Sequence, residues 1–310
     1  MTQTNKIYKA LFFIVIGLLV SAFSSQQPKS FAQEDNHDHT HAQEGELLVN
    51  FLDVGQGDAT FITFPDGTKM LIDCAKDKRV LPKLGEILPF SDRSIDFLVI
   101  THPDSDHYGG CIDVLKRYEI GEIVYTGKQK KGSFFETFQR EVEQEQGEGA
   151  VYTEIKARDS WEIAGVRVSY LFPDFDIESD MSLFDKELSS NNTSIVMMLS
   201  FGETDILLTG DAEKEIEKYL IQTYGTALDV EILKLGHHGS KSSSIQDFLD
   251  ITTPDVGIAS AGQGNQYNHP AKDIVNRVLK NDIELYRTDR DGNIIIIVDD
   301  EGYQVSKEVY

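Results

Sequence analysis

From Glu46 onward the chain alternates short apolar runs with polar turns, then settles into a recurring order of apolar run, loop and amphipathic stretch. Apolar runs at 47–54, 60–64 and 69–72 are separated by GQGD and PDG turns and predict a meander of strands. A helix is predicted over 81–88, a buried strand over 95–100, a helix over 107–118, a short strand over 123–125 and a charged amphipathic helix over 134–145. The second half repeats the theme, with strands at 151–155, 161–163, 166–171, 194–199 and 206–208. A helix over 212–224 follows, then strand 230–235, helix 245–251, strand 256–259, helix 271–279 and closing strands 283–286 and 293–298. The acidic, irregular stretch 174–187 reads as a loop over a site.

Two strand-rich halves, each with helices, predict an α/β fold in which two sheets face each other with helices outside, a four-layered αββα sandwich. Residues 46–310 would form this domain. The apolar run 10–23, preceded by Lys6 and Lys9, is short for a membrane span but has the length of a secretory h-region. Residues 1–32 therefore read as a signal peptide, with an uncleaved anchor as the alternative and the only expected membrane contact. Residues 33–45 (QEDNHDHTHAQEG) have no apolar pattern and read as a flexible His- and acid-rich linker. The expected location is outside the cytoplasm, secreted or held at the outer face of a membrane.

The net charge of −23 falls almost entirely on the globular part, since residues 1–45 carry only −1 of it. Such a surface repels polyanions at long range, so nucleic acid would need local help from metal ions or from Lys128, Lys130 and Lys131. The two cysteines, Cys74 and Cys111, flank suspected site segments. They read either as one disulfide of an exported protein or as buried thiols.

Candidate chemistry concentrates at 101–110, THPDSDHYGG, directly after the predicted strand 95–100. His102, Asp104, Asp106 and His107 on one tight loop would repel and desolvate one another unless a divalent cation accepts imidazoles and carboxylates together. Eight histidines occur: His37, His39 and His41 in the linker, and five on three loops that follow apolar runs, namely His102, His107, His237, His238 and His269. That confinement points to a metal site rather than to scattered structural histidines.

The arrangement resembles the metallo-β-lactamase superfamily, whose signature HxHxDH reads HPDSDH here, with Asp104 in place of the second histidine. FLDVGQGDA (51–59), LLTGDAE (207–213), LKLGHHGS (233–240), YNHP (267–270) and YRTDRDG (286–292) extend the resemblance to the soluble domain of the ComEC-type competence DNA-uptake channel proteins. The resemblance implies one or two divalent ions, zinc or manganese. His102 and Asp104 would serve one, Asp106, His107 and His269 the other, and Asp211 would bridge them. His237 and His238 would act at substrate oxygens, with ligation by one of them as the alternative. Asn191 and Asn192 stand where the superfamily has a further histidine. Asp58 would approach the metals, Asp73 would orient a ligand histidine, and Ser240 would sit in a phosphate-accepting corner. Asp53 could lend further support, and the DG at 291–292 reads as a hairpin turn.

The implied activity is metal-dependent hydrolysis, with Asp106 or Asp211 holding the nucleophile and His237 or His238 serving the leaving oxygen. A phosphodiesterase or nuclease acting on DNA is the leading expectation. A small-ester, lactone or phosphoester hydrolase and a non-catalytic metal-binding module are the alternatives.

Overall fold

The computed structural model describes residues 45–179, 184 and 187–308. The expected signal segment, nearly all of the linker and part of the 174–187 loop therefore lie outside the described residues. One sheet takes β1 (Leu47–Phe51), β2 (Thr60–Thr63), β3 (Lys69–Ile72), β4 (Ser94–Val99), β5 (Glu119–Tyr125) and β6 (Val151–Glu154). The other takes β7 (Asp159–Ile163), β8 (Val166–Phe172), β9 (Val196–Phe201), β10 (Thr204–Leu208), β11 (Ile232–Lys234), β12 (Val256–Ala259) and β13 (Glu284–Arg287). The chain then returns to the first sheet with β14 (Ile294–Asp299) and β15 (Gly302–Lys307), giving the order β15-β14-β1-β2-β3-β4-β5-β6 opposite β13-β12-β11-β10-β9-β8-β7.

Three apolar layers hold the expected αββα sandwich together. Val49, Phe51, Ile62 and Ile296 of the first sheet meet Val168, Leu199, Ile206 and Ile258 of the second between the sheets. Period-two alternation sends the opposite face of each strand outward. Phe61, Leu71 and Leu98 thus pack under Leu84, Val114 and Phe138 of the outer helices, while Leu207 and Leu233 pack under Ile216, Phe248 and Ile274. Each such fully buried side chain contributes roughly 1.5–3 kcal/mol.

Three elements differ from the sequence reading. The helix expected over 107–118 is broken into Ser105–Tyr108 and Cys111–Leu115. Gly109 and Gly110 lie against backbone: a Cβ would stand 2.1 Å from the Lys76 carbonyl oxygen at Gly109 and 2.0 Å from that of Cys74 at Gly110. Tyr286 and Asn293 do not bracket a hairpin, because β13 and β14 belong to different sheets and a short helix, Thr288–Asp291, carries the chain between them. Strand β15 was not anticipated; none of its residues is fully buried, as its place at the sheet edge requires.

β1, β3, β4 and β5 run one way in the first sheet, and β10 to β13 are mutually parallel in the second. Loops leaving the C-terminal ends of β1, β3, β4, β10, β11 and β12 carry the candidate residues. Cys74 and Cys111 form a disulfide rather than standing as thiols. It clamps the loop after β3 to the metal-candidate loop, where the Cys74 N–H also donates to the His107 carbonyl at 2.7 Å. Replacing both cysteines with serine should lower unfolding free energy by roughly 2–4 kcal/mol, because the bridge closes a long loop of the unfolded chain. Denaturant titration of oxidised protein and double variant would measure this, and equal midpoints would count against the clamp.

Candidate metal centre

The loop after β4 enters the site because Thr101 is pinned at its start. Its N–H and hydroxyl donate to the Asp73 carboxylate at 2.8 and 2.7 Å. Asp73 adopts a left-handed backbone (φ 56°) just beyond β3 and also lies 2.7 Å from His107 Nδ1. A carboxylate on Nδ1 fixes the proton there and turns Nε2 inward. The expected orienting role of Asp73 thus has a matching geometry, with His107 as the histidine it holds.

The turn after β1 is locked onto this loop. Gly57 has φ 118°, a Cβ there would fall 2.3 Å from the Asp106 carbonyl oxygen, and the Asp58 N–H donates to that oxygen at 3.2 Å. Asp53 shapes the same turn by accepting from the Gly55 N–H at 3.2 Å, and does not reach the cluster. Asp58, 2% exposed, points inward, where its carboxylate lies 2.5 Å from Lys234 Nζ and 3.2 Å from His238 Nδ1.

His237 and His238 are consecutive left-handed residues (φ 47° and 55°), a costly conformation for side chains with a Cβ. The conformation drives His238 inward, where its Nδ1 meets the Ser260 carbonyl at 3.0 Å and its Nε2 stands 3.4 Å from Asp211 and 3.5 Å from Asp106. His237 turns to the rim, with Nδ1 3.2 Å from Asn191 Nδ2 and 3.3 Å from Glu213. Ser240 braces this corner: its N–H donates to the His237 carbonyl at 2.8 Å and its hydroxyl meets that of Ser242 at 3.0 Å.

Among the described residues four overlapping ligand sets result, each with donor atoms within 4.8 Å of one another. They are His102, His107 and Asp211; Asp106, His107 and His238; Asp58, Asp211 and His238; and Asp58, Asp73 and His107. The Nε2 atoms of His102, His107 and His238 and one oxygen of Asp211 are buried without a well-formed hydrogen bond. Such a group of unpartnered donors fits a divalent cation, and mixed imidazole and carboxylate ligands suit zinc or manganese.

The sequence reading and the geometry divide the histidines differently. His238, expected at substrate oxygens, stands among the ligand atoms. His269, expected as a ligand, is half-buried with its ring 6.3 Å from that of His238 and 5.4 Å from that of His237, and joins no ligand set. Asp104 approaches His102 Nε2 at 3.7 Å, yet its carboxylate pairs with Lys130 and accepts from the Ser190 hydroxyl at 2.6 Å. Asn191 faces His237, while Asn192 accepts the Glu213 N–H at 2.9 Å and so shapes the turn beside Asp211. The lysine patch is largely spent on acids, with Lys128 paired to Glu178 and Glu187 and Lys130 to Asp104.

Lys234 was missed by sequence reasoning. It is 3% exposed, and its ammonium also meets the Gly210 carbonyl at 3.1 Å. The signal available was a lone lysine inside the apolar run 230–235, two residues before the GHHGS turn. A buried lysine needs a carboxylate partner.

Electrostatics follow from this crowding. Burial disfavours charge on Asp58, but Lys234 and His238 outweigh it and hold the carboxyl well below its ordinary range. Burial likewise opposes charge on Asp211, and His107 and His238 overcome it. Asp106 is held down to about 2, where His238 and His107 outweigh burial. Burial would neutralise His238, but Asp211, Asp58 and Asp106 push it up to about 10. His107 is raised by Asp211 and Asp73 against the same burial. His269 moves oppositely, down to about 4, through burial and the neighbouring His237 and His238.

Protons on these imidazoles substitute for the positive charge of a cation. Metal binding at pH 7 should therefore release at least one proton, readable with a pH indicator in weak buffer. A raised folded pKa contributes stability that is complete below the unfolded value near 6.5 and lost as pH rises through about 10. Metal-free protein should accordingly lose stability over that window, and metal-loaded protein should lose less; parallel curves would contradict this. Lys234→Met should cost roughly 3–5 kcal/mol in metal-free protein, since it removes the nearer of the two cations that balance the buried Asp58 carboxylate. The cost should shrink on saturation with zinc, and an unchanged cost by denaturant unfolding would uncouple Lys234 from the cluster.

The family model described as "Metallo-beta-lactamase superfamily" matches residues 52–263. The chain is 31% identical over 271 residues to ComE operon protein 3 of Bacillus subtilis, covering 82% of this chain and 33% of that protein. It is also 31% identical over 279 residues to competence protein ComA of Neisseria gonorrhoeae, covering 89% and 34%. The chain thus spans about a third of the length of these curated relatives, which are ComEC-type competence proteins. Among solved structures, a mutant of the CmlA beta-hydroxylase superposes with a TM-score of 0.50 at 13% identity over 82% of this chain and 54% of the other, a likeness of fold. With the two facing sheets and the strand-end cluster of His102, His107, Asp211 and His238, the match over 52–263 establishes that this chain belongs to the metallo-β-lactamase superfamily.

Proposed function

We propose that this protein is a metal-dependent phosphodiesterase that cleaves single-stranded DNA outside the cytoplasmic membrane. The observation that carries the reading is the convergence of three buried, unpartnered imidazole Nε2 atoms on the Asp211 carboxylate at the ends of the strands. A divalent ion bound there would lower the pKa of a water and offset charge on an attacked phosphodiester. The chain's own residues do the rest. Asp73 and Ser260 hold the Nδ1 protons of His107 and His238, so both Nε2 atoms face the site. Asp106, whose side chain is 26% exposed, lies where the cluster opens and can accept a hydrogen bond from an attacking water. His237, at the rim, is placed to donate to a departing oxygen.

The phosphodiester substrate is supported by the likeness to competence proteins. Export is supported by the apolar run 10–23 and by the Cys74–Cys111 disulfide, a bond that persists in oxidising compartments. The strongly negative surface favours a short flexible strand over a stiff duplex, because fewer phosphates must approach that surface together.

Labelled single-stranded DNA, incubated with protein stripped of metal and resupplied with manganese or zinc, tests the reading. Cleavage should return with metal and fall at least a thousandfold in Asp211→Ala, together with metal content. Metal-loaded protein that cleaves small carboxylic esters but no phosphodiester would overturn it.

A further inference from the structure

Beside the metal candidate cluster a cleft of about 330 Å³ is lined by Gln56, Lys76, Arg79, Ser105, Asp106 and the segment 265–267. Its size is at the lower end of small-ligand pockets, about 300–1,000 Å³, which suits one nucleotide unit rather than a folded polymer. Asp106 forms the inner wall, so whatever fills the cleft lies against the reacting centre.

The walls are rigid at the backbone. A Cβ on Gly262 would stand 2.6 Å from the Gln56 amide nitrogen, and one on Gly57 would collide with the Asp106 carbonyl. The outer wall is set by Asn265, whose side-chain oxygen accepts from the N–H groups of Tyr267 and His269 at 3.1 and 3.0 Å. The Asn265 amide donates back to the carbonyls of Gly262 and His269 at 2.8 and 2.6 Å. That bracing presents Tyr267 with 55% of its surface exposed, an unusual outlay for a large aromatic. Its inner face stacks on His269, 5.7 Å between centroids and 26° between planes, leaving the outer face open.

Opposite stand Lys76 and Arg79, two exposed cations on the segment fixed by the disulfide. Arg79 chelates Asp77 at 2.9 and 3.1 Å, which leaves Lys76 as the less committed charge. An aromatic face across from a cation, on a molecule whose surface is otherwise acidic, matches a base flanked by its phosphate. An ester or lactone would instead meet amides and charges.

Resting on the phosphodiesterase reading, we infer that this cleft is a nucleotide subsite: the base next to the scissile phosphate stacks on Tyr267 while Lys76 takes the adjoining phosphate. His269 acts here as the support beneath Tyr267, a positioning residue.

The test uses the metal-loaded full chain and two short deoxyoligonucleotides of equal length, one of them abasic at the positions flanking the cleavage site. The intact strand should show a KM about tenfold lower than the abasic one. Tyr267→Phe should keep that difference, and Tyr267→Ala should erase it, so that the two strands behave alike. A structural role for Tyr267 would shift both strands together. Lys76→Gln should flatten the dependence of log KM on log salt by about 0.7, one single-strand phosphate contact. A base preference that survives in Tyr267→Ala, or is absent from the parent, overturns the subsite while leaving the hydrolase reading intact. No cleavage of either strand or of bis(4-nitrophenyl) phosphate by metal-loaded protein removes the reading itself, and the subsite with it.

Discussion

Four aspartates, Asp58, Asp73, Asp106 and Asp211, crowd a volume in which three are almost fully buried, and the rest of the site depends on how that negative charge is balanced. Buried carboxylates persist only when paired or hydrogen-bonded. Asp73 spends its oxygens on the Thr101 N–H and hydroxyl and on His107, Asp58 on Lys234 and His238. The Asp211 N–H donates to the Ser194 hydroxyl, yet one oxygen of its carboxylate has no hydrogen bond. Charge is thus paired around the periphery and left open at the centre, where a divalent ion would complete the balance.

The fold delivers that balance by bringing strand ends together. Parallel strands in each sheet point their C-terminal ends the same way, and facing sheets place the two sets of loops against each other. Little slack remains between the loops. Gly57 on Asp106, Gly110 on Cys74 and Gly262 on Gln56 are contacts that no Cβ would permit. Such contacts join the loops after β1, β3, β4 and β12 into one rigid rim, which a site of this charge density needs, because a displaced carboxylate would lose its partner and keep its desolvation cost.

Lys234 shows how the balance is tuned. Its ammonium lies behind Asp58 and leaves the ligand atoms of His238 free. The Asp104–Lys130 pair does the opposite at the rim, engaging a carboxylate that would otherwise be available to His102. Asp104 thus stands near the centre without belonging to a ligand set, and the weight of the cluster shifts toward Asp211, His107 and His238.

The sequence by itself determined the layers, most strand positions and the loops that carry chemistry, because hydrophobic period and motif spacing are local properties. The β3 and β12 runs were legible to the residue, and the site loop was recognisable from its density of ligand types. Left to the tertiary structure were the facts that depend on direction and on distant partners. His237 and His238 are adjacent, yet two left-handed residues send one to the rim and the other into the cluster. His269 sits in a motif whose spacing suggests ligation; its ring stacks on Tyr267 and its Nδ1 is buried without a hydrogen bond, outside the four ligand sets. The crossing of Thr288–Asp291 between sheets looked like a hairpin because a DG pair is locally compatible with both. Lys234 draws no notice inside the apolar run 230–235, because its partner Asp58, 2.5 Å away, is distant in sequence. Side-chain identity fixes which chemistry is possible, whereas backbone handedness and long-range contact fix which atoms meet.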